Sequence, residues 1–125
     1  MTTVESVFEP AVYASNYLVL VSESLVAQDI AMTIAEYDAT AHVITAITLS
    51  DAEVALANVT DLKVAFVKAR PSNFRGSALD LAISQRGARL VMLGIEAESI
   101  GPTPDFDVLS QPFDTDAVLA KLAVR

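Results

Sequence analysis

Chemistry in this 125-residue chain must come from few groups. Cysteine is absent, which removes thiolate nucleophiles, thiolate zinc sites and any disulfide framework. The one histidine, His42, begins a β-branched run remote from the candidate serines, so no Ser-His nucleophile can be assembled. Two groupings remain. Ser22-Glu23-Ser24 follows an apolar run and offers one carboxylate between two hydroxyls, while Lys68, Arg70 and Arg75 crowd three cations into one short segment. A buried Lys68 could serve as a Schiff-base or general-base lysine, because burial lowers the pKa of an ammonium group. The simpler reading pairs it with Glu23 or a backbone carbonyl. The three cations together could hold a phosphate or other small anion, or could form a solvated or partner-facing loop. Ser22, Ser24 and Ser110 read as cap or turn residues. No glycine-rich phosphate loop follows the first apolar run, where Ser22-Glu-Ser-Leu25 stands, so a Rossmann dinucleotide is excluded and no cofactor is expected.

The elements that would position these groups alternate regularly. Tyr17 to Val21 is a continuous apolar run of the kind buried on both faces of a parallel sheet. Val26, Ile30, Thr33, Ile34 and Tyr37 then recur at helical spacing. His42 to Thr48 is a second strand, and Ser50 with Glu53 reads as a capping box opening a short helix to about Asn58. Lys63 to Val67 is a third strand. A helix starting at Gly76-Ser77 carries Leu79 and Ile83 on one face and ends at Gly87. Arg89 to Leu93 and Phe106 to Leu109 complete the strands. Asp114 and Asp116 open a last helix that buries Val118 and Leu122. Between Leu93 and Phe106 the residues Gly101, Pro102 and Pro104 allow one helical turn at most, around Glu96 to Ile100.

Repeated strand-helix units imply βαβ crossovers and a parallel sheet. The expected fold is a flavodoxin-like α/β sandwich of five strands in the order 2-1-3-4-5, with four full helices and a vestigial fourth one. Residues 1–15 are expected to form a tail and 16–125 the domain. In such sheets ligands bind beyond the carboxyl ends of the strands at the switch point. That rule gathers Val21, Ser22, Glu23, Lys68, Leu93, Gly94, Ser110 and Gln111.

At these positions, Leu18-Val-Leu-Val-Ser-Glu-Ser-Leu25, the strand ending at Lys68 and Val108-Leu-Ser-Gln-Pro-Phe-Asp114 together resemble a response-regulator receiver domain. The likeness spans roughly Tyr17 to Val124 and is greatest to receivers with a shortened fourth unit, familiar from alphaproteobacteria. The resemblance implies a magnesium-holding acidic pair at Val21 and Ser22, a phospho-accepting aspartate at Lys68, a hydroxyl switch residue at Leu93 and a lysine at Gln111. None of the four roles can be filled by the residue present. Magnesium requires several hard oxygen ligands, and Glu23 alone is too few. An amine forms no acyl phosphate, and Leu93 has no hydroxyl. The resemblance therefore implies a non-phosphorylatable pseudo-receiver that is not an enzyme. It also implies a cis bond before Pro112. The expected partner is a protein of bacterial two-component signalling: a histidine kinase, a phosphotransfer protein or another regulator. The alternative function is a sensor of a small anion at Lys68, Arg70 and Arg75.

Charge agrees with that choice. Sixteen acidic against eight basic residues give a net charge of -8, and no Lys or Arg precedes Lys63. Nucleic acids and anionic membranes both need clustered cations, so neither is an expected partner. Apolar residues make up 53%, enough for one packed core, and no uncharged stretch is long enough to span a bilayer. Met1 to Glu9 has two glutamates and no cation, contrary to a secretory signal, so a cytoplasmic location is expected. Ile95, Ile100 and Phe106 sit where a full fourth helix would lie, and could seed a homodimer or simply cover the sheet edge.

Overall fold

The computed structural model describes residues 15–123; the expected tail lies outside these residues except for Ser15, which already belongs to the first strand. Five parallel strands form one sheet in the order β2-β1-β3-β4-β5. They are β1 (Ser15–Leu20), β2 (Ala41–Ala46), β3 (Val64–Lys68), β4 (Arg89–Leu93) and β5 (Asp107–Val108). The flanking helices are α1 (Ser24–Tyr37), α2 (Leu49–Leu56), α3 (Pro71–Phe74), α4 (Ala78–Gln85), α5 (Ile95–Ile100) and α6 (Thr115–Ala123).

Side chains alternate across a strand, so the unbroken apolar runs feed two cores. Leu18, Leu20, Ala65, Val67, Leu90 and Met92 face one side, where Leu56, Leu79 and Ile83 close over them from α2 and α4. Tyr17, Val19, Val64, Phe66, Val91 and Leu93 face the other, covered by Ile30 and Ile34 of α1 and Val118 and Leu122 of α6. The register sets Leu20 beside Val67 and Lys68 beside Leu93, which brings the carboxyl ends of β1, β3 and β4 level. Among the described residues, no helix is long and apolar enough to cross a membrane.

Several local expectations shift. The cap of α2 is Thr48, whose hydroxyl accepts from the Asp51 amide at 3.1 Å, not Ser50 with Glu53. Two Thr/Ser-x-x-acid frames overlap here, and β2 stopping at Ala46 selects the earlier one. β5 contracts to two paired residues, because Pro104 and Pro112 bracket it without amide hydrogens. The segment after β3, read as a loop, contains the single turn α3, with Pro71 at its first position. The fourth full-length helix is indeed reduced: α5 has six residues, between Gly94 at φ 117° and Gly101 at φ 80°. Gly94 adopts backbone angles that only glycine reaches without strain, and it turns the chain sharply away from β4.

Candidate functional site

The switch point between β1 and β3 is closed by an ion pair. Lys68 leaves the end of β3 and its Nζ donates to Glu23 Oε2 at 2.7 Å, with Glu23 at the cap of α1. The Lys68 hydrogen bond, first among the causes, holds the Glu23 carboxyl below its ordinary value. Of the two readings of Lys68 drawn from sequence, its geometry is that of the pair. Val21 is buried, Ser22 is exposed, and Leu93 is wholly buried on the α1/α6 side of the sheet. Glu23, the one carboxylate at the mouth of β1 among the described residues, is already bonded to an ammonium. This donor set does not fit magnesium, which takes hard oxygen ligands in octahedral array.

A second set of contacts surrounds the first. Glu96, on α5, accepts from the Ser72 amide at 2.7 Å and the Ser72 hydroxyl at 3.0 Å. Those bonds, the amide first, with the Arg70 charge as a lesser cause, hold Glu96 below the usual carboxylate range. Glu98, on the same short helix, accepts from the Gln111 amide at 3.0 Å, beside the cis Gln111–Pro112 bond. The reduced helix is thus a strap: one carboxylate holds the loop after β3 and the other holds the loop after β5. Sequence reasoning missed both. Glu96 lies 24 positions from Ser72, and no local spacing signals such a contact.

The three basic residues do not converge on a common point of attachment. Lys68 takes Glu23, while Arg70 Nε lies 3.6 Å from Glu96 Oε2. Arg75 turns away towards Asp80 at 3.4 Å and Asp105 at 3.8 Å, with its guanidinium 5.9 Å from the centre of the Phe106 ring. Each of the three cations already lies beside a carboxylate. Phe106 is buried under this contact and gives nothing to an exposed apolar patch, whereas Ile95 and Ile100 stay exposed. His42, second in β2, has its Nδ1 3.1 Å from Asn16 Oδ1, far from the switch point.

At the opposite end of the sheet, an open cleft of about 820 Å³ is lined by Asn16, Tyr17, Asp38, Lys63, Arg86 and Arg89. Its polar groups are mostly engaged in structure. Arg86 donates to the Val59, Ala82 and Leu56 carbonyls at 2.7, 2.8 and 2.9 Å, and Arg89 to the Lys121 carbonyl at 2.6 Å. Tyr17 donates to Asp38 at 2.9 Å, and burial followed by that bond pushes its phenol far upward.

Against solved structures, the fold is that of CheY-like response-regulator receiver domains. A response regulator receiver domain protein (CheY-like) from Methanospirillum hungatei is 19% identical, with a TM-score of 0.62 over 86% of this chain and 90% of that one. A protein described as a response regulator, from Chloroflexus aurantiacus, is 15% identical, with a TM-score of 0.61 over 87% of this chain and 94% of that one. No protein-family model matches the sequence, and no curated protein matches it.

Proposed function

We propose that the domain is a receiver scaffold without phosphotransfer chemistry, acting as a protein-interaction module in two-component-type signal transduction in the bacterial cytoplasm. It is not an enzyme. The observation that carries this reading is the Lys68–Glu23 pair, 2.7 Å long, at the carboxyl ends of β3 and β1. In the resemblance this is the acceptor's place, and an ammonium there can neither accept a phosphoryl group nor hold magnesium. Leu93 and Gln111 replace the hydroxyl and the cation that would follow such a group. The strap from Glu96 and Glu98 supports a scaffold held in one arrangement. Fold alone does not give function, and what is left to recognise is surface.

Two measurements test this. Incubation with acetyl phosphate and magnesium, followed by intact-protein mass spectrometry, should leave the mass unchanged; a phosphoryl adduct would overturn the reading. Affinity capture on the purified domain should retain a histidine kinase, a phosphotransfer protein or another receiver. If no protein is enriched, the adaptor role fails.

A further inference from the structure

The two edges of the sheet are built to opposite rules. An edge strand offers unpaired N–H and C=O groups to any other strand, and proteins blunt it with shortness, charge or proline. β5 has all three. It pairs over two residues, carries Asp107 held by Lys121 at 3.1 Å, and lies between Pro104 and Pro112. β2 ends the sheet on the other side and has none of them. It pairs with β1 over six residues, from Ala41 to Ala46, and the register runs without a bulge. No Lys, Arg, Asp, Glu or Pro occurs between Asp38 and Asp51.

Both faces of β2 are covered. Ile44 packs into the core under α2 and α4, while Ala41 and Val43 pack into the core under α1 and α6. Only the edge stays open. Every second residue of such a strand turns its backbone N–H and C=O away from the neighbouring strand. Among the described residues, β1 is the only strand that pairs with β2. His42 and Thr45 are exposed along it, and Ile47, which continues the strand, is 66% exposed. A long, uncharged, unguarded edge is tolerated in a native protein when something pairs with it.

We propose that β2 pairs with β2 of a second copy of this chain, antiparallel about a two-fold axis, so that one sheet runs through both copies. β2 gives a foreign strand little to select, since neither of its exposed side chains carries a fixed charge. Against itself it needs no selecting group. In antiparallel self-pairing the outward N–H groups of each copy meet the outward C=O groups of the other. No like charges stand opposite one another in any register, because the strand has none. That matters in a chain of net charge -8, whose copies repel wherever carboxylates face one another. A single short ladder is a small interface, so the dimer is weak, with a dissociation constant on the order of 100 μM. The inference is independent of the adaptor reading: a phosphoryl adduct on the domain would end that reading and leave the β2 edge as it is.

The test is sedimentation velocity of the full chain from about 10 μM to about 1 mM at about 150 mM salt. The weight-average mass should rise from one chain towards two, and further at about 500 mM salt, which screens the repulsion between copies. Hydrogen exchange resolved by residue should show alternate amides of β2 gaining protection as concentration rises. Thr45→Lys and Thr45→Glu both place a charge on the exposed edge but change the net charge in opposite directions. Both should weaken dimerisation about five-fold or more. Leu81→Lys on α4 and Ile95→Lys on α5, at exposed positions away from β2, should change it less than about two-fold. The urea midpoint of each variant is read alongside, so that loss of the fold is not counted as loss of pairing. A chain still monomeric at about 1 mM, a dimer that weakens with added salt, or one lost in Ile95→Lys and kept in Thr45→Lys would overturn the proposal. So would a dimer strengthened by Thr45→Lys, which would make net charge decisive and not the edge. Protection of the β2 amides that is independent of concentration would also overturn it, because another segment of the same chain would then cover the edge.

Discussion

Lys68 and Glu23, 45 positions apart in sequence, meet at 2.7 Å across the carboxyl ends of β3 and β1. The side chains are 28% and 48% exposed, so solvent screens the pair. An interaction of this kind contributes about 0–1 kcal/mol. A double-mutant cycle with Lys68→Ala and Glu23→Gln, read from urea midpoints, should give a coupling in that range. A coupling of several kcal/mol would mean that the pair is structurally dominant.

The same pair has an acid dependence. The folded carboxyl of Glu23 titrates below its ordinary value, so the pair's contribution is complete above the unfolded pKa, near 4.5, and fades as pH falls through the lower folded pKa. The stability difference between the native protein and Glu23→Gln should therefore be constant at neutral pH and shrink only in acid. Paired denaturation curves across that range check the sign; a difference that grows on acidification would contradict it.

Restoring carboxylates is not expected to restore phosphotransfer. With Val21→Asp, Ser22→Asp and Lys68→Asp together, Leu93 stays buried without a hydroxyl and Gln111 remains neutral. Intact mass after acetyl phosphate and magnesium should show little or no stable adduct. Full modification would mean that Leu93 and Gln111 do not obstruct the reaction.

Glu96 should control local opening of the loop after β3. Its carboxylate accepts both donors of Ser72, so in Glu96→Ala the Ser72 amide should exchange with solvent markedly faster while amides in β3 keep their protection. Because Glu96 is held below the usual carboxylate range by those donors, the native contact should persist through mildly acidic pH and fail only below it. Amide exchange resolved by residue would show either outcome.

Arg86 should matter more to stability than Arg75. Arg86 spreads one guanidinium over the Val59, Ala82 and Leu56 carbonyls, tying the ends of α2 and α4 together. Truncation to Ala loses charge-assisted hydrogen bonds and should cost about 2–3 kcal/mol. Arg86→Lys should recover only part, since an ammonium lacks the planar fork. Arg75→Ala removes surface ion pairs at 3.4 and 3.8 Å and should cost less than about 1 kcal/mol. Thermal or urea denaturation of the three variants gives the ranking.

Much of the scaffold was legible before any coordinates. Tyr17 to Val21 and Leu90 to Leu93 are apolar without alternation, as strands buried on both faces are, and handed crossovers then leave few strand orders. Gly101, Pro102 and Pro104 dictated the shrunken α5, because a missing amide hydrogen acts locally whatever the rest of the chain does. The absence of any Lys or Arg before Lys63 is likewise a property of the sequence.

Tertiary structure decided the rest, and the reason is distance along the chain. That Lys68 would choose Glu23, that Arg75 would leave Lys68 to stack on Phe106, and that Glu96 and Glu98 would hold the Ser72 and Gln111 amides all depend on where side chains end after strands align. Periodicity reports which face of an element is buried, because burial acts on each residue within a few positions of its neighbours. A hydrogen bond requires two groups to meet within a few tenths of an ångström, and only the packed sheet sets that meeting.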